Sequence, residues 1–148
     1  MTREIRYALM DPAGNRTILV TTPVLEALQP QVAAALMKLE PSAEQTGFLS
    51  VSAEGVRLRM AGGEFCGNAA MSAAVYARMG TEQGGGTVPV RVSGVPEPVP
   101  VELTALPEGQ WQGSVEMPRP DDVRQVRFPE GQILPVVSFP GISHVILE

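Results

Sequence analysis

Ala61-Gly62-Gly63-Glu64-Phe65-Cys66-Gly67-Asn68, followed by AAMSAAVYARM from Ala69 to Met79, is the stretch that decides the fold. A glycine-rich turn gives way to a helix with alanines at 69, 70, 73, 74 and 77, and Gly80 suits its C-terminal cap. Side chains this small let neighbouring backbones approach closely. The pattern predicts a helix over residues 67–79 that is enclosed by a curved sheet rather than laid on a flat one.

Cys66 stands immediately before that helix. A thiol acts as a base only once ionised, and the unpaired N–H groups and positive dipole of a helix start favour the thiolate. Gly67 would let backbone come close to a ligand, Asn68 adds a side-chain amide, and the successive N–H groups of Gly67, Asn68 and Ala69 form a cradle for a carboxylate. A thiolate beside a bound carboxylate is what abstraction of a proton alpha to an amino-acid carboxylate needs. The same residues also suit a small buried hydrophobe next to Phe65. Local pattern leaves both readings open.

Outward from this stretch the pattern is mostly strand and turn. Ile5 to Met10 predicts a strand, Asp11-Pro12-Ala13-Gly14-Asn15 a turn, and the β-branched run Thr17 to Thr22 the returning strand. A helix is expected from near Pro23, with Leu25, Leu28, Val32, Leu36 and Leu39 on one apolar face, Lys38 as a solvated charge near its end and Pro41 beyond it. Thr46 to Ser52 and Val56 to Met60 predict two strands around Ala53-Glu54-Gly55. After Thr87 come Val88 to Val92, Val99 to Leu103, Trp111 to Met117, Val123 to Phe128, Ile133 to Phe139, and a last strand from His144 to Glu148. The expected class is α/β (α+β), a mixed or mostly antiparallel curved sheet or barrel around a central helix, with the first helix packed outside.

Composition narrows the function. The 148 residues hold 44% hydrophobic and 18% charged side chains, which is ordinary for a folded domain. A net charge of −5 without a basic cluster argues against nucleic acid, and no charge run suggests a membrane surface. No signal-peptide core or membrane-spanning apolar run occurs, so a cytoplasmic location is expected. A single cysteine and a single histidine leave little for a metal site, and none is expected. Lys38 is the only lysine, where a pyridoxal phosphate enzyme needs one placed for a Schiff base; no cofactor is expected.

Glu64-Phe65-Cys66-Gly67-Asn68-Ala69 resembles the Cys-Gly-Asn-Ala signature of the diaminopimelate epimerase superfamily. Asp11 to Asn15 with Thr17 to Val20 resembles that family's opening turn and second strand, and Gly141-Ile142-Ser143-His144 falls where it has Gly-Asn-Pro-His. Three landmarks in order, spread over nearly the whole chain, are more specific than any one. The loop Met60 to Glu64 is shorter and lacks an asparagine that the epimerases use, and Ile142 replaces another, so diaminopimelate itself is a poor fit. The chain is more similar to the histidine racemases that supply D-histidine for opine-type metallophores, through Gly14-Asn15, Glu44-Gln45, Gly47-Phe48, Met60 to Ala69, Met71-Ser72, Val92-Ser93-Gly94, Met117-Pro118 and His144.

The resemblance implies a cofactor-independent racemase with two cysteines on opposite faces of the substrate alpha-carbon, Cys66 being the N-terminal one. It implies that Asn15 meets the amino-carboxylate end of an amino-acid substrate, that Gly67, Asn68 and Ala69 hold its carboxylate, that Glu44 binds the imidazole and that His144 sits beside the thiols. Residues 1–148 are then an N-terminal lobe whose second thiol belongs to a C-terminal lobe, and this lobe alone should be inactive; a homodimer remains open. Two other readings stay in view: a racemase or epimerase of another amino acid, and a non-catalytic binding module of the same fold.

Overall fold

The alanine-rich segment forms its helix inside a sheet, as its small side chains require. The computed structural model describes residues 3–147, so Glu148, where the last strand was expected to end, lies outside them. In chain order the elements are β1 (Tyr7–Met10), β2 (Thr17–Val20), α1 (Gln29–Leu39), β3 (Gln45–Ser52), β4 (Gly55–Met60), α2 (Gly67–Arg78), β5 (Gly86–Val92), β6 (Val99–Ala105), β7 (Trp111–Val115), β8 (Asp122–Arg127), β9 (Ile133–Phe139) and β10 (Ile142–Val145). Strands β1 to β7 form one sheet in sequence order, with parallel pairs at β2–β3 and β4–β5 and antiparallel pairs elsewhere. Each parallel pair needs a long crossover, and α1 and α2 are those crossovers.

The sheet curls around α2, which touches β2 through β7. Gly67, Ala69, Ala70, Ser72, Ala73 and Ala74 are its buried residues, and alternate residues of the strands close over them: Leu19, Leu49, Val56, Leu58, Met60, Val88, Val90, Val92, Val101 and Leu103. Ile18, Val20 and Phe48 point to the opposite face, where α1 covers them with Ala33 and Leu36. Strand β2 is therefore buried on both faces, and all four of its residues are enclosed. This mixed half-barrel around a central helix is the fold expected from the sequence, that of a diaminopimelate epimerase-like lobe.

The departures that matter for the architecture are at the start of α1 and in the last three strands. Helix α1 starts at Gln29 after a 3-10 turn over Glu26–Leu28, with Pro30 in its first turn, rather than near Pro23. Its buried face is Gln29, Ala33 and Leu36, and Leu25 and Leu39 are 72% and 71% exposed. The strand run after residue 115 does not extend the curled sheet: β8, β9 and β10 form a separate antiparallel sheet in the order β10-β9-β8. Its final strand covers Ile142–Val145 rather than starting at His144.

Candidate active site

Cys66 is the N-cap of α2. Its backbone is extended (φ −139°, ψ 113°), and its sulfur accepts the Ala69 N–H at 3.4 Å, as a serine hydroxyl would at the same position. The loop leading to it is clamped from β5. Ser93 Oγ accepts the Met60 N–H at 2.9 Å and donates to the Glu64 carbonyl at 2.6 Å. Gly94 follows at φ +82°, and a Cβ there would lie 2.5 Å from the Phe65 nitrogen. No other residue type lets the turn after β5 come so close to the backbone that carries Cys66.

The half-buried sulfur faces a cleft of about 600 Å³ at the mouth of α2. Asn15, Gln45, Glu64, Phe65, Cys66, Gly67, Asn68 and Met71 line it together with Gly113 to Val115, Met117, Ile142 and His144. A Cβ on Gly67 would meet Met117 Sδ at 2.9 Å and Val115 Cγ1 at 3.3 Å, so a larger residue there would close the cleft floor. His144 reaches the cleft from β10, exposed, with its ring edge-on to Phe139 at a centroid distance of 6.0 Å.

Of the residues singled out in the sequence, Asn15, Cys66, Gly67, Asn68 and His144 share this cleft, drawn from the β1–β2 turn, the start of α2 and the second sheet. Asn15 brings a side-chain oxygen that is buried without a hydrogen-bond partner among the described residues. Two residues sit differently. Ala69 is fully buried and its N–H donates to the Cys66 sulfur, so one of the three N–H groups expected to form the cradle is already engaged. Glu44 is exposed and outside the residues lining the cleft.

Gln45, by contrast, is in the site although no role was read for it. Cys66 Sγ donates to Gln45 Oε1 at 3.2 Å, and Gln45 Nε2 donates to Thr17 Oγ1 at 2.8 Å. Parallel pairing of β2 with β3 sets Thr17 opposite Gln45, on the face that holds α2. Met71 and the β7 residues Gly113 to Val115 were also unread, because only the curl of the sheet brings β7 to the start of α2. No group of three His, Cys, Asp or Glu side chains close enough to hold a metal ion occurs among the described residues. Among the described residues no helix is long and apolar enough to cross a membrane.

A curled sheet around a small-residue helix, with a thiol at the helix mouth opening into a cleft, defines the class of diaminopimelate epimerase-like lobes. Residues 4–148 match the family described as the histidine racemase CntK N-terminal domain, and the chain belongs to that family. It is also 30% identical over 149 residues to a histidine racemase of Fusobacterium nucleatum subsp. nucleatum, covering 96% of this chain and 54% of that protein. The chain thus spans about half the length of the curated relative it matches.

Proposed function

We propose that the full-length protein carrying this lobe is a cofactor-independent amino-acid racemase that interconverts L- and D-histidine, with Cys66 exchanging the alpha-proton on one face of the substrate. The observation that carries the reading is the placement of the Cys66 sulfur at the start of α2, open to a cleft shared with Asn15, Gly67, Asn68 and His144. Family membership and the named relative support the reaction and the substrate.

In the proposed reaction a thiolate on one face takes the alpha-proton and a thiol on the other returns one. The electron pair stays on carbon between the two steps, so no redox partner is needed. The substrate carboxylate lies against the N–H groups of Gly67 and Asn68, where the helix dipole favours negative charge as the carbanion-like transition state develops. Asn15 holds the amino-carboxylate end, and His144 lies beside the reacting carbon. Glu44 is assigned to the imidazole by the family resemblance alone, as is use of D-histidine in an opine-type metallophore. The second thiol comes from a C-terminal lobe that closes the cleft and excludes water, which strengthens every charge interaction inside. One thiol in this chain cannot complete a two-base inversion, so the lobe alone is expected not to racemise.

Incubating the full-length protein with L-histidine in deuterated water tests the reading. The expected result is D-histidine carrying alpha-deuterium, with Cys66→Ser lowering kcat/KM by about 100- to 10,000-fold. Exchange confined to a different amino acid would replace histidine as substrate. No alpha-exchange with any amino acid would instead leave a binding module of this fold.

A further inference from the structure

Among the described residues, the hydrogen-bond partners of the Cys66 sulfur are the Ala69 N–H at 3.4 Å and Gln45 Oε1 at 3.2 Å. They suit different charge states. The N–H is a donor and accommodates a thiol or a thiolate; an amide oxygen only accepts, so it requires S–H.

Which end of a glutamine faces a neighbour is set by the network around its other end. Here that end is fixed. Gln45 Nε2 lies 2.8 Å from Thr17 Oγ1, and Thr17 Oγ1 lies 3.0 Å from the Asn15 carbonyl oxygen. A hydroxyl has one proton, and directing it at a carbonyl leaves only lone pairs to face Gln45. The amide nitrogen must therefore point at Thr17 and the amide oxygen at the sulfur. Thr17 is fully buried, so water does not replace either partner, and turning the amide around would set its oxygen against a hydroxyl whose proton is already engaged. Polarity is passed from the Asn15 backbone through Thr17 and Gln45 to Cys66.

We propose that Thr17 and Gln45 are positioning residues that keep Cys66 as the protonated thiol in the unliganded site, so that it enters turnover as the proton donor and the opposite group as the base. The inference rests on the reading of Cys66 as an acid/base thiol. When Cys66 delivers its proton to the alpha-carbon it becomes a thiolate facing the Gln45 oxygen, with the Ala69 N–H as its remaining hydrogen bond. That pairing favours S–H for the next cycle, the sulfur taking a proton from solvent after product leaves while the opposite group releases to solvent the one it abstracted. Glu64 and His144 are the titratable side chains that share the cleft with it.

The test is the ultraviolet absorbance that a thiolate has and a thiol lacks, measured on the full-length protein at neutral pH without substrate. Each variant is read against the same background carrying Cys66→Ser, so that only this sulfur is counted. Wild type is expected to show little Cys66 thiolate. Thr17→Val frees the amide to turn its N–H towards sulfur and should raise the signal several-fold. Gln45→Leu removes the acceptor and should raise it as well, whereas Thr17→Ser keeps the hydroxyl and the wild-type signal. If Thr17→Val does not fold, Gln45→Leu against Thr17→Ser decides. A wild-type sulfur already ionised, or Thr17→Val and Gln45→Leu both matching wild type, overturns the proposal. Activity separates the two claims: an active Cys66→Ser enzyme refutes the acid/base thiol itself, whereas an inactive one with Thr17→Val and Gln45→Leu absorbance both unchanged refutes only the role of Thr17 and Gln45.

Discussion

The two helices lie on opposite faces of one sheet and are built from opposite kinds of side chain. Helix α2 buries a glycine, four alanines and a serine, whereas α1 buries Ala33, Leu36 and Gln29 and leaves Leu25 before it and Leu39 at its end exposed. The difference is the number of sides from which sheet approaches. Strands β2 to β7 surround α2, so there is room for little beyond its backbone cylinder; α1 rests mainly on β3 and can use long side chains only along one line. Gln29 shows how shallow that line is. It accepts from Arg59 at 3.1 Å and donates to the Val24 carbonyl at 3.3 Å, and Arg59 reaches on to Glu26 at 3.0 Å. A polar network of charged and amide side chains anchors one end of α1 at the surface.

Three measurements would break or sharpen the contrast. Leu36 is the large side chain that α1 commits to the sheet, so Leu36→Ala is expected to cost about 2–5 kcal/mol of unfolding free energy, while Leu39→Ala on the open side changes it by less than about 0.5 kcal/mol. Equal losses in urea melts would mean that α1 is covered all round. For α2 the sensitive direction is gain of volume: Ala74→Leu should destabilise by about 1–3 kcal/mol through overpacking. A Tm unchanged by that substitution would mean that the sheet does not enclose the helix. The smallest effect concerns the end of α1, where the Tyr7 hydroxyl on β1 donates to Glu40 Oε1 at 2.8 Å. That hydrogen bond, then partial burial and the Glu40 charge, raise the Tyr7 pKa above the ordinary 10.0. The folded chain keeps the phenol proton where the unfolded chain has lost it. The stabilisation is complete below pH 10.0 and disappears as pH climbs through the raised value. Tyr7→Phe should flatten the alkaline loss of stability, and an unaltered slope would show that this contact does not hold α1 down.

Strand positions and the enclosed helix were legible in the sequence because both carry strong local signals, alternation in one and recurring alanines in the other. The start of α1 was misread for a physical reason. Leu25 and Leu28 continue the three- and four-residue spacing of Val32 and Leu36, and periodicity does not register that the 3-10 turn before Gln29 swings them away from the sheet. Pro30 was the better marker, since proline is at home in a first helical turn. Within the cleft, the nearness of Cys66, Gly67 and Asn68 was readable because it comes from one helix start. Gln45 was not, because its role exists only through a bond to a residue 21 positions later and a strand pairing with Thr17. The hydrogen bond from the Ala69 N–H to the sulfur three residues earlier was not legible, because it depends on the cap geometry of Cys66.

The antiparallel hairpin of β3 and β4 has a consequence for chirality. Parallel crossovers in a sheet keep one hand almost without exception. Both crossovers here step the same way along the sheet, yet the β3–β4 reversal makes the second begin on a strand running opposite to the first. To keep the same hand, the second connection has to leave by the other face. One reversal at Ala53–Glu54 therefore turns a helix that would have covered the outside into one that fills the inside, and its thiol-bearing end is carried to the open rim of the half-barrel.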